Sequence, residues 1–489
     1  MKVLTCENIR RVEENAASMG ESYLEMMENA GLSVVEEICK RVSVQGKNII
    51  VVCGGGNNGG DGYAVARLLE NEGGCVKVIA LSEPKTETSV AMKNRYNGEI
   101  LGFDASYFYE ADIIVDAVFG IGFKGEPEGV YKEVLRAVNS SGAYKVSVDI
   151  PSGLIANSGE ERLCIKADLT VTFIALKPCQ LLFPARQNCG ETVLRSIGIS
   201  ADAFKNTETV GEIIPPSVFE KRKNNTHKGS YGTAALIVGS YGMAGAAILS
   251  TKGCLKSGIG IAKAVLPESI YGIVTSAVPE AVCHIYKPED KSDTVIENIM
   301  SCDAVLIGCG LSKGDFQRKL LMEIIKRYDK KLIIDADGLN LLSGSIDCIK
   351  DSKADIILTP HPKEMARLCN VSAAEIEADR PEFAKNLAAL LGCTVVLKGS
   401  VTLVADKNGK LYFNLTGNPG MATGGSGDVL AGIITAFAAQ GMSCTEAAIN
   451  GVYVHGKAGD KASEKTGEIS LLPSDLIECL PEVYKELMR

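Results

Sequence analysis

Residues Gly417 to Gly432 read G-N-P-G-M-A-T-G-G-S-G-D-V-L-A-G. Gly417, Gly420, Gly424, Gly425 and Gly427 strip side chains from a loop that runs into an apolar, helix-like segment, Val429 to Ala439. The N–H groups at such a helix start lack intrahelical acceptors and carry partial positive charge, so they can hold a phosphate or an oxyanion. Asp428 sits where the helix begins. Its carboxylate either caps the helix or serves as a general base at the edge of an anion hole. Glycine at this density costs backbone entropy and is expected where backbone must approach a ligand closely, which favours the base.

Upstream of this stretch, short β-branched runs alternate with helical ones. In the second half they fall at Thr233 to Val238, Ile261 to Leu266, Ala304 to Ile307, Lys331 to Asp335, Asp355 to Leu358 and Thr394 to Leu397, with helices such as Phe316 to Tyr328 and Phe383 to Leu391 between. In the first half, helical spacing over residues 1 to about 40 gives way to runs at Asn48 to Cys53, Cys75 to Leu81, Ala111 to Val115, Lys145 to Asp149 and Leu169 to Ile174. Strand alternating with helix implies a parallel sheet covered on both faces. A proline pair and a basic cluster in G-E-I-I-P-P-S-V-F-E-K-R-K-N-N, Gly211 to Asn225, interrupt the alternation. The expected architecture is two tandem α/β domains, 1–215 and 216–489, of different folds, since no internal repeat relates them.

The totals narrow the class. With 46% apolar and 23% charged residues the chain reads as a soluble globular protein, and 489 residues exceed one ordinary core. A net charge of -9 without a long basic run argues against nucleic acid or an anionic membrane as partner. Sixteen cysteines with no C-x-x-C, no apolar span and no signal peptide point to reduced thiols in a cytoplasmic protein.

A second glycine loop follows the run ending at Cys53: G-G-G-N-N-G-G-D-G, Gly54 to Gly62. It contains G-x-G-x-x-G, a weak fingerprint by itself. Asn57, Asn58 and Asp61 make it more specific, because amide and carboxylate oxygens on a glycine loop can coordinate a hard cation while N–H groups face phosphate. D-A-V-F-G-I-G-F-K-G places Asp116 at a strand end and Lys124 on a glycine loop, and S-V-D-I-P-S-G places Asp149 and Ser152 at another strand end. Carboxyl ends of parallel strands border the ligand crevice. Asp149 and Lys124 then form either an acid/base pair or a surface ion pair.

These three motifs resemble those of the NAD(P)H-hydrate epimerases, the YjeF N-terminal domain, a Rossmann-like family, over roughly residues 1 to 215. The resemblance implies interconversion of the R and S epimers of hydrated NADH and NADPH (NADHX and NADPHX). It further implies a potassium ion on Asn58, Asp116 and Ser152, and substrate held by Asn57, Asn58, Gly59, Gly60, Asp61, Gly120, Ile121, Gly122, Phe123, Gly125, Glu126 and Asp149. Asp149 and Lys124 would shuttle the protons.

In the second half, I-G-C-G-L-S (Ile307 to Ser312), I-I-D-A-D-G-L-N (Ile333 to Asn340), L-T-P-H-P-K-E (Leu358 to Glu364) and L-K-G-S-V-T (Leu397 to Thr402) each put glycine, carboxylate, histidine or lysine just past a strand. With the opening stretch they resemble the ADP- or ATP-dependent NAD(P)H-hydrate dehydratases, the YjeF C-terminal domain of ribokinase-like fold. Ser426 stands where threonine is commoner, and Cys309 where proline is. The resemblance implies that Lys398, Gly399, Ser400, Val401 and Thr402, with Asn418, Pro419, Gly420, Met421, Ala422, Thr423, Gly424, Gly425, Ser426 and Gly427, hold ADP or ATP. Gly310, His361 and Asp428 would face the hydrate, and Mg2+ would bridge the nucleotide phosphates. By analogy a homo-oligomer is expected. The competing reading is a ribokinase-like small-molecule kinase behind a regulatory Rossmann module, because phosphorylation without elimination uses the same anion hole. A third treats the first domain as a non-catalytic scaffold.

Overall fold

The computed structural model describes residues 1–215, 217–287 and 289–488. Pro216, half of the proline pair read as the boundary, and Arg489 lie outside the described residues. By contacts the chain divides into two compact units, Met1–Glu212 and Ile213–Arg489.

The first unit opens with two amphipathic helices. Cys6–Ser18 and Tyr23–Cys39 turn Ile9, Val12, Ala16, Met26, Met27 and Val34 inward, and Thr5 and Ser22 cap them through side-chain oxygens. Seven parallel strands follow, in the order Glu99–Leu101, Cys75–Ala80, Asn48–Cys53, Ile113–Ala117, Tyr144–Val148, Leu169–Phe173 and Glu191–Arg195. The central strands are buried on both faces, which is why they read as unbroken apolar runs. The two edge strands, Glu99–Leu101 and Glu191–Arg195, are short, partly exposed and carry charge, so no apolar run marked them. The strand order reverses between Asn48–Cys53 and Ile113–Ala117, where an open parallel sheet forms its ligand crevice.

The glycine loop at that point is required by packing. A Cβ on Gly54 would meet the Val118 carbonyl oxygen at 2.0 Å, and one on Gly59 would meet the Gly54 carbonyl oxygen at 1.9 Å. The helix Asn57–Asn71 can therefore start against the sheet only if those side chains are missing.

Among the described residues of the second unit, nine strands run Leu411–Asn414, Thr402–Ala405, Thr394–Leu397, Asp355–Leu358, Lys331–Ile334, Ala304–Ile307, Thr233–Ile237, Ile261–Pro267, Val282–Tyr286. Seven are parallel; Thr402–Ala405 and Leu411–Asn414 add an antiparallel hairpin at one edge. That hairpin and Val282–Tyr286 were not legible as parallel-sheet strands. The apolar segment after the glycine loop is the helix Ser426–Ala439, buried nearly all round. It packs on Ala244–Lys256 so closely that a Cβ on Gly432 would meet the Ser250 carbonyl oxygen at 2.1 Å.

Candidate active sites

The crevice of the first unit is a cavity of about 520 Å³. Asn57, Asn58 and Asp61 line it from the glycine loop, Gly120, Ile121, Gly122 and Phe123 from the loop after Ile113–Ala117, and Asp149 from the end of Tyr144–Val148. Arg10, Glu13 and Lys177, none of them singled out in the sequence, line it too.

Asp149 is held in a rare conformation. Its φ is +68°, a left-handed backbone that costs a non-glycine residue about 1–3 kcal/mol and persists only where its surroundings enforce it. Gln180 Nε2 donates to its carbonyl at 2.8 Å. Thr172 Oγ1 (3.0 Å), the Phe173 N–H (3.3 Å) and Lys177 Nζ all donate to Oδ1. Asp149 itself lines the cavity. The cation at Asp149 is thus Lys177, buried at the end of its own loop, and the expected pairing with Lys124 is not made. Lys124 stands exposed on the turn beyond Phe123, outside the cavity lining, where its charge helps hold the Glu7 carboxyl below its ordinary range, after a backbone hydrogen bond and one from Asn157. A strand-end lysine is ambiguous in sequence; only the turn of the backbone at Asp149 decides which amine it meets.

Two more carboxyls face this cavity. Burial, then the Asp149 charge, pushes Glu13 up to about 7, and burial followed by Asp149 and Glu13 raises Asp61 well above the ordinary carboxylate range. Of the remaining expected contacts, Asn57 Oδ1 accepts from Thr86 Oγ1 at 2.6 Å, and Gly59 and Gly60 lie in the first turn of Asn57–Asn71. Gly125 and Glu126 are tied to Arg162 rather than to the cavity (3.3 and 3.1 Å).

Asn58, Asp116 and Ser152 do come together. Asp116, 2% exposed, accepts from Ser147 Oγ (2.8 Å), the Ser152 N–H (2.8 Å), Ser152 Oγ (2.5 Å) and the Val118 N–H (3.3 Å). Asn58 Nδ2 and Ser152 Oγ both reach the Phe119 carbonyl, at 3.1 and 3.3 Å. Burial raises the Asp116 carboxyl while these hydrogen bonds pull it back. All four donors to the carboxylate are neutral, and amide, hydroxyl, carbonyl and carboxylate oxygens in one buried cluster are the hard donors an alkali cation takes.

In the second unit, Asp428 lies in the first turn of Ser426–Ala439, whose N-cap, Gly425, has φ +100° and no side-chain cap. Asp428 does not cap the helix. Its carboxylate shares a space of 4.8 Å with Asp335 and the Cys309 thiol. Asp335 Oδ1 accepts from Lys398 Nζ and Thr359 Oγ1, both at 2.6 Å, and Cys309 Sγ lies 3.4 Å from Oδ2. Burial pushes Asp428 up to about 6; Asp335 adds to the rise and Lys398 opposes it. Burial likewise keeps the Cys309 thiol protonated. Glu364 stands 3.9 Å from Lys398 Nζ.

The neighbouring loops are anchored by residues the sequence did not mark. Arg380 Nη2 donates to the carbonyls of Leu397 (3.3 Å), Lys398 (3.2 Å) and Val401 (3.0 Å), so it shapes the Lys398 to Thr402 turn that contains Gly399 and Ser400. Asp460 accepts from the Gly417 N–H at 3.1 Å and Asn418 Nδ2 at 3.2 Å. Asn418 Oδ1 accepts from the Gly420 N–H and starts the short turn Pro419–Met421 that leads through Ala422, Thr423 and Gly424 to the helix. His455, buried and pushed down to about 4 chiefly by that burial, has Nε2 2.9 Å from the Ser426 carbonyl. His361 uses Nδ1 to cap Pro362–Cys369, accepting from the Lys363 and Glu364 N–H groups. Gly310, at φ +59°, accepts from Ser240 Oγ at 2.8 Å. Asp335 had one usable signal, a carboxylate immediately past a strand; Arg380, the first residue of the helix Arg380–Leu391, and His455 and Asp460, inside the helix Cys444–Thr466, had none.

A family model described as NAD(P)H-hydrate dehydratase matches residues 234–482, and one described as YjeF-related protein N-terminus matches residues 23–179. The chain is 37% identical to the bifunctional NAD(P)H-hydrate repair enzyme of Moorella thermoacetica, over 94% of this chain and 92% of that relative. It is 35% identical to the Escherichia coli enzyme of the same description, over 98% and 93%. Among solved structures it is similar to the ADP/ATP-dependent NAD(P)H-hydrate dehydratase of Bacillus subtilis co-crystallised with ATP and Mg2+. The identity there is 31% and the TM-score 0.50, over 55% of this chain and 95% of that one.

Proposed function

The chain belongs to the family of bifunctional NAD(P)H-hydrate repair enzymes, and from that premise we propose how its two sites divide the work. The first unit epimerises R- and S-NAD(P)HX. The second dehydrates the S form to NAD(P)H at the expense of ADP or ATP. The observation that carries the second assignment is Asp428, beside an uncapped helix start and raised to about 6, a base poised near neutral pH next to an anion hole.

In the dehydratase site Asp428 takes the proton of the hydrate hydroxyl as its oxygen attacks the terminal phosphorus of the nucleotide, whose bond to the bridging oxygen breaks and releases AMP from ADP or ADP from ATP. N–H groups of Gly425 to Gly427 steady the phosphoryl group in flight. The phosphorylated oxygen then leaves as phosphate, pushed by the ring nitrogen, and the neighbouring carbon loses a proton to water, which restores the dihydronicotinamide. The Lys398 to Thr402 turn and the Asn418 to Gly427 loop hold the nucleotide, and Gly310 and His361 border the hydrate. Asp335 and Asp428 would hold a hydrated magnesium arriving with the nucleotide, and the ion would neutralise phosphate charge; the protonated Cys309 thiol would be no ligand for it.

In the epimerase site Asn58, Asp116 and Ser152 would hold potassium, supplying fixed positive charge beside the Gly120 to Phe123 loop. Asp149 is the base, a cavity-lining carboxylate paired with Lys177. Sixteen free cysteines fit a reducing, cytoplasmic setting.

The kinase reading is separated by product. With purified protein, potassium, magnesium and a mixture of R and S hydrates, ADP- or ATP-dependent recovery of NADH absorbance with release of free phosphate is expected. Recovery confined to the S form would remove the epimerase, and a stable phosphorylated hydrate would make the second unit a kinase.

A further inference from the structure

Epimerisation at the hydrated carbon needs one group to protonate the departing hydroxyl and another to deprotonate the water that returns. Asp149 Oδ2 fills one role. Lys177 cannot fill the other: an ammonium has three N–H bonds, and Lys177 directs them at Asp149 Oδ1, Thr172 Oγ1 (2.6 Å) and the Phe173 carbonyl (3.0 Å). Lys124 stands outside the cavity lining.

We propose that Glu13 is the second catalytic acid/base of the epimerase site, working across the cavity from Asp149. The proposal rests on the epimerase reading above and deepens it. Glu13 enters the same cavity from a different element, the helix Cys6–Ser18, whose buried residues Ile9, Val12 and Ala16 seat that wall firmly. The charged and titratable groups around it are Arg10 and Glu14 on its own helix, Tyr23 on the next, Asp61 on the glycine-loop helix, and Asp149 with Lys177. Asp149 disfavours a second negative charge nearby; burial disfavours it more. Glu13, held up to about 7, is thus the carboxyl placed to give a proton, and Asp149, paired with Lys177, the one placed to take it, the division of labour that two carboxyls in unequal environments provide. Asp61 is raised as well, chiefly by burial, with the Asp149 and Glu13 charges adding to the rise.

The step balances. Glu13 gives its proton to the leaving oxygen, the C–O bond breaks, the ring-nitrogen lone pair forms C=N, and water departs. A water oxygen then bonds to the same carbon from the other face, its proton passes to Asp149 Oδ2, and the C=N pair returns to nitrogen. Nothing is oxidised or reduced. The enzyme ends with Glu13 ionised and Asp149 protonated, which is the state that runs the reaction in reverse.

The test uses the full chain and R-NADPHX, measuring initial epimerisation rates across pH for wild type, Glu13→Gln and Glu13→Asp. Glu13→Gln is expected to lower kcat at least about 100-fold with KM changed less than about threefold, and to abolish the fall in wild-type rate above about pH 7. Glu13→Asp, which keeps the acid, is expected to retain a tenth or more of kcat. Glu13→Gln within about threefold of wild type, or Glu13→Asp as inactive as Glu13→Gln, overturns the proposal. Wild type unable to epimerise at all would instead overturn the epimerase reading itself.

Discussion

Lys398 Nζ lies 2.6 Å from Asp335 Oδ1, and this pair sets the charge that Asp428 feels. Asp335 raises the Asp428 carboxyl and Lys398 lowers it, on top of the rise from burial. A base must be deprotonated, so dehydration of the S hydrate is expected to fall as pH drops through about 6. Lys398→Met removes the lowering charge and should move that acid limb to higher pH; Asp335→Asn should move it to lower pH. Rate–pH profiles of the two variants check the opposite signs, and a common direction would show that neither charge tunes Asp428.

Asp428→Asn keeps the shape of the helix start and removes the base. Dehydratase kcat is expected to fall by about 10²–10⁴, with epimerisation of the R form unaffected because that site lies in the other unit. Parallel assays on one preparation read both activities.

Lys177→Met leaves the Asp149 carboxylate without its cation in a buried setting. A base stripped of its buried charge partner is expected to lose most of its epimerase activity at neutral pH. The loss is expected to exceed that of Lys124→Ala, since only Lys177 touches Asp149. An equal or larger loss in Lys124→Ala would restore the pairing read from sequence.

Asp116→Asn removes the one charge in the Asn58, Asp116 and Ser152 cluster. The potassium concentration giving half-maximal epimerisation should rise ~10-fold or more, measured at constant ionic strength. An unchanged potassium response would exclude this cluster as the ion's site.

Gly59→Ala would drive a methyl group onto the Gly54 carbonyl oxygen, 1.9 Å from where the new Cβ must sit. The expected cost is about 1–3 kcal/mol or more, read as an earlier unfolding transition in urea for the first unit.

Much of this protein was legible in its amino-acid order. Both glycine loops follow strands and open helices, because backbone packed this closely demands residues without side chains and parallel sheets demand strands buried on both faces. Those are local requirements, and local pattern reveals them: the strand ends at Asp116 and Asp149 and the helix start at Asp428 were found this way. What pattern did not carry was pairing across distance. Whether Asp149 meets Lys124 or Lys177 depends on a left-handed φ at Asp149 and on the loop after Phe173. Asp335 gains its meaning from Lys398, on another strand, and Glu13 from a cavity whose other walls lie far along the chain. Sequence spacing encodes which face of an element is apolar; the identity of a buried charge's partner is decided only when the sheet and its crossovers bring strand ends together.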